Sequence, residues 1–101
     1  MTDLKPGLRL RSAACTTEVV VVRGAGPVDL RCGGTAMVEM DAEATGARIR
    51  APFDTGTLIG KRYVDESGSV ELLCTKRGGG SLAIGEAPLE VKAAKPLPSS
   101  D

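Results

Sequence analysis

The chain contains no histidine and no tryptophan, and it has a single phenylalanine, Phe53, and a single tyrosine, Tyr63. Without histidine, the Ser–His and Cys–His pairs of nucleophilic catalysis are excluded. Two aromatic side chains are too few to form a stacking platform for single-stranded nucleic acid. The interior must therefore be built from aliphatic side chains, and few of the large anchors that dominate tight interfaces are present.

Net charge is lacking as well, because 13 basic and 13 acidic side chains cancel. Proteins that bind phosphate backbones carry an excess of Lys and Arg, so no nucleic-acid partner is expected. The longest apolar run, residues 19–22, is far too short to cross a bilayer, and residues 1–7 do not form a signal peptide,. We therefore expect a cytoplasmic protein without a membrane partner, in which the three cysteines stay reduced,.

Short runs with period-two or continuous apolar character alternate with glycine-rich breaks, which is typical of β-strands and turns. Four consecutive valines at 19–22 predict a central strand covered on both faces,. Turns are predicted at 24–27, 65–68 and 85–88, and residues 41–52 are interpreted as a connection,. The predicted strands are 8–14, 17–23, 28–32, 36–40, 61–65, 69–75, 81–84 and 89–92.

These patterns predict one all-β domain over residues 1–92, followed by a flexible C-terminal tail over residues 93–101,. The expected architecture is a single small β-sandwich or partly open β-barrel of about seven or eight short strands joined by Gly-rich turns. The glycines at 78–80 are interpreted as a flexible hairpin loop, because no helix follows them that could hold a phosphate,.

Cys15, Cys32 and Cys74 are the candidate metal ligands, because thiolates are soft ligands for zinc and iron,. Cys32-Gly33-Gly34, with Met37 nearby, resembles one arm of the knuckles in zinc-ribbon and rubredoxin-like proteins. The resemblance covers residues 15–37 and implies a structural zinc or an electron-transferring iron. A closed site needs a fourth ligand, and the close cysteine pair of such knuckles is missing,. The alternative is that all three thiols are buried packing groups, so no cofactor is favoured over this reading.

Asp54-Thr55-Gly56 resembles the active-site triplet of aspartic proteases. The resemblance implies a homodimer in which Asp54 of each subunit shares a proton with its counterpart. Pro52 interrupts the strand that should lead into the triplet, and Thr57 replaces the usual small residue. The alternative is an ordinary Asp–Thr–Gly turn.

No side chains show the spacing of an established catalytic arrangement, and this absence predicts a non-catalytic function. We expect a small β-domain that acts as a protein-binding or accessory module, with a protein partner or a second copy of itself as the binding partner. The alternatives are the cysteine-ligated zinc or iron protein and, more remotely, the aspartic-protease-like hydrolase.

Overall fold

The computed structural model describes residues 1–43 and 46–92, and within them the chain forms twelve β-strands and no helix. This confirms the predicted all-β class. The strands are short because turn-forming residues interrupt the chain at frequent intervals. In chain order they are β1 Thr2–Leu4, β2 Arg9–Arg11, β3 Glu18–Arg23, β4 Gly26–Val28, β5 Leu30–Cys32, β6 Thr35–Ala36, β7 Val38–Glu39, β8 Arg62–Val64, β9 Glu71–Lys76, β10 Leu82–Ile84, β11 Ala87–Pro88 and β12 Glu90–Val91.

The strands pair antiparallel in three sheets. The largest has the order β12-β8-β9-β3-β2-β7, the second has the order β11-β10-β5-β6, and β1 pairs with β4 in a two-stranded sheet. One core cluster joins the two larger sheets: Leu10, Val19 and Leu72 come from the first, and Leu30 and Leu82 from the second. The two larger sheets therefore share a single aliphatic interior.

The two longest strands, β3 and β9, pair in the middle of the six-stranded sheet. Val19 lies opposite Cys74 and Val21 lies opposite Leu72, and all four side chains are buried. Because the pair is antiparallel, the start of β3 lies beside the end of β9. The loop before β3 and the loop after β9 are thereby brought to the same end of the sheet.

The prediction that the four valines are covered on both faces is wrong. Val19 and Val21 are each 1% exposed, whereas Val22 is 38% exposed. A strand covered on both faces is typical of parallel sheets with helices on each side, but β3 lies in an antiparallel sheet whose second face is partly open to solvent. The predicted central position is confirmed, because β3 lies between β9 and β2.

The predicted count of about seven or eight strands is too low, in part because the chain changes sheets inside two of the predicted strands. The segment 28–32 belongs to two strands that flank Asp29: β4 pairs with β1, and β5 pairs with β10. The segment 36–40 divides at Met37, so that β6 pairs with β5 and β7 pairs with β2. An alternating pattern does not report which sheet a strand joins, so these changes leave no signal in the periodicity.

Two of the predicted turns contain strand residues. Gly26 and Pro27, inside the predicted turn 24–27, belong to β4 and pair with β1, a strand that the sequence patterns did not predict. Ala87 and Pro88, inside the predicted turn 85–88, form β11 at one edge of the four-stranded sheet. Both prolines are tolerated because edge strands leave one row of N–H positions unpaired.

The predicted hairpin turn at 65–68 is confirmed between β8 and β9. The Gly68 N–H donates to the Asp65 carbonyl at 3.0 Å, and Gly68 has a φ of 74°, a conformation that favours glycine,. The described part of the predicted connection 41–52 contains no strand. The predicted tail over 93–101 lies outside the described residues, so its boundary stays a prediction.

One carboxylate is nearly enclosed beside β8 and β9. The Glu71 side chain is 5% exposed, and it accepts a hydrogen bond from Lys92 and another from Arg62, each at 3.0 Å. The bond from Lys92 holds the pKa of Glu71 below its usual range; burial opposes this effect, and Arg62 adds to it. Glu71 thus links β8 and β9 to the residue that follows β12.

The fold should therefore lose stability on acidification in a way that depends on Glu71. A carboxyl whose pKa is lowered by folding stabilises the fold above its unfolded-state pKa of about 4.3, and this contribution is lost as the pH falls through the folded-state pKa. We expect the urea midpoint to fall between about pH 6 and pH 3, and Glu71→Gln to flatten that slope. Glu66→Gln, at an exposed turn position, is the control and should keep the wild-type slope. An unchanged slope in Glu71→Gln would contradict this role.

Candidate functional site

The three cysteines come from different parts of the chain and lie near one end of the β3–β9 pair. Cys15 lies in the loop 12–17 between β2 and β3, Cys32 is the last residue of β5, and Cys74 lies within β9. Cys32 and Cys74 are 0% and 1% exposed, whereas Cys15 is only partly buried. Cys15 is therefore the only one of the three cysteines that is partly exposed.

Hydrogen bonds within the loop 12–17 position Cys15. The Ser12 Oγ accepts the N–H groups of Ala14 and Cys15 at 3.0 and 3.1 Å, a local bond pattern that serine favours in turns,. The Ser12 N–H donates to the Thr17 carbonyl at 2.8 Å, which closes the loop. The Cys15 thiol donates to the Thr17 Oγ1 at 3.3 Å. These bonds direct the sulfur towards the interior.

The sulfurs of Cys15 and Cys32 are in contact, with an Sγ–Sγ distance of 3.8 Å. The Gly80 N–H also donates to the Cys15 Sγ, at 3.4 Å. A backbone N–H directed at sulfur stabilises a thiolate more than a thiol. The Cys15 sulfur is therefore held between a buried thiol and a backbone donor.

The loop 77–81, here called the glycine loop, covers Cys15 so closely that two of its positions leave no room for a side chain. A Cβ at Gly78 would lie 2.6 Å from the Thr17 backbone nitrogen and 2.9 Å from the Cys15 Sγ. A Cβ at Gly80 would lie 3.2 Å from the same sulfur. These glycines are required by close packing, since neither has a positive φ.

Two buried hydroxyl groups join the Cys15 thiol and the glycine loop in one polar cluster. The Oγ1 atoms of Thr17 and Thr57 share a hydrogen bond at 2.7 Å, and the two residues are 0% and 3% exposed. The Thr57 Oγ1 also accepts the Gly78 N–H at 3.1 Å, and the Thr57 N–H donates to the Gly78 carbonyl at 3.0 Å. The cluster thus connects Cys15 to the glycine loop through two threonines.

The three thiols differ in acidity. Burial raises the pKa of Cys15, but hydrogen bonds from the side chains of Ser12 and Thr17 and from the backbone of Thr17 and Gly80 outweigh it and lower the pKa to about 7. Burial, together with the neighbouring Cys15, raises the pKa of Cys32 to about 12, and burial also raises the pKa of Cys74. Because the thiolate is the nucleophile, the lowered pKa makes Cys15 the strongest candidate nucleophile of the three,.

The structure brings two of the predicted metal ligands, Cys15 and Cys32, into contact, whereas the Cys74 thiol donates to the Lys76 carbonyl at 3.2 Å. Within residues 1–43 and 46–92, no group of three or more His, Cys, Asp or Glu side chains is arranged to hold a metal ion. The zinc or iron site formed by all three cysteines therefore stays a prediction.

The two glycines after Cys32 have a local structural reason. Gly33 and Gly34 have φ values of 68° and 85°, and they form the two-residue turn between β5 and β6. Such turns require positive φ at both positions. The Gly33 N–H donates to the Ser81 carbonyl at 3.0 Å. The amide that is directed at a sulfur comes instead from Gly80.

Asp54, the predicted hydrolase residue, is exposed in the loop between β7 and β8. The residue of this segment that enters the thiol cluster is Thr57, which pairs with Gly78 in an isolated bridge. The hydrolase interpretation stays a prediction.

Sequence reasoning missed the residues that assemble the cluster, which are Thr17, Thr57, Gly78 and Gly80. One local signal was present: Thr17 follows Cys15 by two positions, the spacing that places side chains on the same side of an extended segment,. The contact with Thr57 joins residues 40 positions apart and has no local signal.

No protein-family model, no curated protein and no solved structure matches this chain. In the part of the chain that the structure describes, no helix has the length and apolar character needed to cross a membrane.

Gly78→Ala should disrupt the cluster, because the new Cβ would collide with the backbone nitrogen of Thr17. We expect it to lower the free energy of unfolding by about 1–3 kcal/mol, measured by urea denaturation. Gly79→Ala is the matched control, because its Cβ would meet only the end of the Ile49 side chain, at 3.1 Å. That change should cost less than about 0.5 kcal/mol. Equal effects of the two substitutions would contradict the close approach at Gly78.

Proposed function

We propose that this chain is a small non-catalytic β-domain that binds another protein through an apolar turn formed by Leu58 and Ile59. The observation that carries the proposal is the exposure of these adjacent side chains, 58% for Leu58 and 64% for Ile59. Turn tips usually carry Gly, Pro, Asn, Asp or Ser. Complete burial of an exposed aliphatic side chain contributes about 1.5–3 kcal/mol, so burial of these two partly exposed side chains would make a favourable contribution to a larger interface,.

Backbone hydrogen bonds on both sides hold the apolar turn in place. The Leu58 N–H donates to the Tyr63 hydroxyl at 2.9 Å, and the Lys61 N–H donates to the Leu58 carbonyl at 3.3 Å. The Gly60 N–H donates to the Cys74 carbonyl at 2.8 Å. A surface that is already ordered loses little conformational entropy on binding, so this rigidity supports a role in recognition.

The edges of the two larger sheets are less suited to binding a partner than the apolar turn is. The outermost strands of the six-stranded and four-stranded sheets are β12, β7, β11 and β6, and each is only two residues long. Very short edge strands are one way in which proteins prevent pairing with other chains, and Pro88 removes a donor from β11. The edges therefore support side-chain recognition by the turn over addition of a strand.

The charges beside the turn indicate which partner surface would fit. Lys61 closes the turn, and Arg77 immediately precedes Gly78, which pairs with Thr57; both cations are exposed. We infer a protein partner that offers an apolar pocket with an acidic rim. The net charge of zero does not favour nucleic acid,.

We also propose an architecture and a cellular location for the domain. The shared core of the six-stranded and four-stranded sheets supports a small sandwich or partly open barrel,. The three free thiols support a cytoplasmic location, where reducing conditions keep cysteines unpaired,.

The double variant Leu58→Ser/Ile59→Ser tests the proposed surface. A partner recovered with the wild-type domain and identified by mass spectrometry is purified, and its affinity is measured for the wild type and the variant. We expect at least about a tenfold loss of affinity, because the contribution of two buried aliphatic side chains is removed. Met40→Ser, at a distant residue that is 41% exposed, is the control and should bind as the wild type does.

A second copy of the chain is the other partner that the turn could bind. In that case light scattering shows a dimer that the double variant converts to a monomer. A strictly monomeric wild type that recovers no partner, or a partner bound equally by the double variant, would contradict the proposal.

A further inference from the structure

We propose that Cys15 and Cys32 form a peroxide-reactive dithiol, in which Cys15 reacts with a small hydroperoxide and Cys32 then closes an intramolecular disulfide. This activity goes beyond partner binding and does not depend on it. It rests on the contact between the two sulfurs, on their unequal exposure and on the narrow surroundings of Cys15.

The sulfurs of Cys15 and Cys32 are close to each other. They lie 3.8 Å apart, whereas a disulfide bond is about 2.05 Å long,. Cys32 ends a strand, but Cys15 lies in a loop outside the sheet ladders, so movement of Cys15 can bring the sulfurs together. Among the described residues no other pair of cysteine sulfurs is in contact, and the Cys74 thiol donates to the Lys76 carbonyl at 3.2 Å. The geometry therefore selects one pair from the three thiols.

The two cysteines differ in their exposure to an oxidant in solution. Cys32 is 0% exposed, so an oxidant in solution reaches it only through Cys15, which is partly exposed. The glycine loop leaves so little room that a Cβ at Gly78 would already lie 2.9 Å from the Cys15 sulfur. A bulky protein disulfide would collide with this loop, whereas hydrogen peroxide is small enough to reach the sulfur. The surroundings thus favour a small hydroperoxide as the oxidant.

The reaction balances with hydrogen peroxide as the only co-reactant. The Cys15 thiolate attacks one peroxide oxygen, the S–O bond forms, the O–O bond breaks, and hydroxide leaves and takes up the thiol proton as water. The Cys32 sulfur then attacks the Cys15 sulfur, the S–S bond forms, the S–O bond breaks, and the hydroxyl group leaves as water with the Cys32 proton. Two thiols lose two electrons in total, and one peroxide yields two waters.

Two neighbours of Cys15 have defined parts in the first step. The Gly80 N–H, 3.4 Å from the sulfur, stabilises negative charge on the attacking thiolate,. The Thr17 hydroxyl, 3.3 Å from the sulfur, becomes a donor to it once the thiol has lost its proton,. Both act on the sulfur of the partly exposed cysteine, which reacts first in the proposed sequence.

The test treats the reduced full-length chain with stoichiometric hydrogen peroxide and follows thiol count, intact mass and peptide linkage. We expect the three thiols to fall to one, the chain to stay a monomer and lose two hydrogens, and digestion to recover a peptide that links Cys15 to Cys32. In Cys32→Ser the reaction should stop at a sulfenic acid on Cys15, which dimedone labels. Cys15→Ser should lose thiols at least about tenfold more slowly, because the exposed thiolate is missing.

Cys74→Ser is the matched control and should form the same linkage as the wild type. The peptide linkage in the wild type decides the question even if a variant folds poorly. A disulfide that includes Cys74, linkage only between chains, or three thiols remaining after treatment would each overturn the proposal.

Metal binding is the competing explanation for the short distance between the two sulfurs. Two thiolates bound to one tetrahedral zinc, with Zn–S bonds of about 2.3 Å, would be about as far apart as the sulfurs of Cys15 and Cys32. Elemental analysis of protein purified without a histidine tag distinguishes the two. Stoichiometric zinc or iron, with thiols that react only after a chelator is added, would overturn the dithiol in favour of a metal site. Metal-free protein that forms the Cys15–Cys32 linkage supports the dithiol.

Discussion

The hydrogen bond between the buried hydroxyls of Thr17 and Thr57 joins the three segments on which both proposals depend. It connects the loop before β3 to the loop before β8, and Thr57 in turn binds the glycine loop through Gly78. Each hydroxyl is buried, so water cannot replace a partner that is lost, and a hydrogen bond lost at such a site costs up to about 1–3 kcal/mol,. Within the described residues, no buried side-chain oxygen or nitrogen lacks a partner.

The same hydrogen bond relates the thiols to the apolar turn. Thr17 fixes one end of the loop that presents Cys15, and Thr57 immediately precedes Leu58. A small domain with an aliphatic core has few ways to fix irregular segments, because packing alone specifies loops less well than hydrogen bonds do. Here the buried Thr17–Thr57 pair holds two loops in place. One loop carries Cys15, and the other carries the exposed side chains of Leu58 and Ile59.

The sequence predicted the parts of this arrangement that depend on local patterns. The hairpin turn at 65–68 follows from its residue types, and the central position of β3 follows from its valines. The changes of sheet beside Asp29 and at Met37 were not predictable, because the alternation of side chains continues through both positions. The cysteines were found as candidates from their chemistry, but Thr57 was not, since its partner is 40 positions away in the chain. Contacts of that kind are set by the tertiary fold and not by local propensity.

The most direct test is a double-mutant cycle on the hydroxyl pair, using Thr17→Val, Thr57→Val and the double variant, with free energies of unfolding from urea denaturation. Each single change removes the bond between the hydroxyls and leaves the remaining buried hydroxyl with one partner fewer, whereas the double change removes both hydroxyls, so the sum of the single losses should exceed the loss in the double variant. We predict a coupling energy of about 1 kcal/mol or more. A coupling energy indistinguishable from zero would contradict the claim that this hydrogen bond assembles the site.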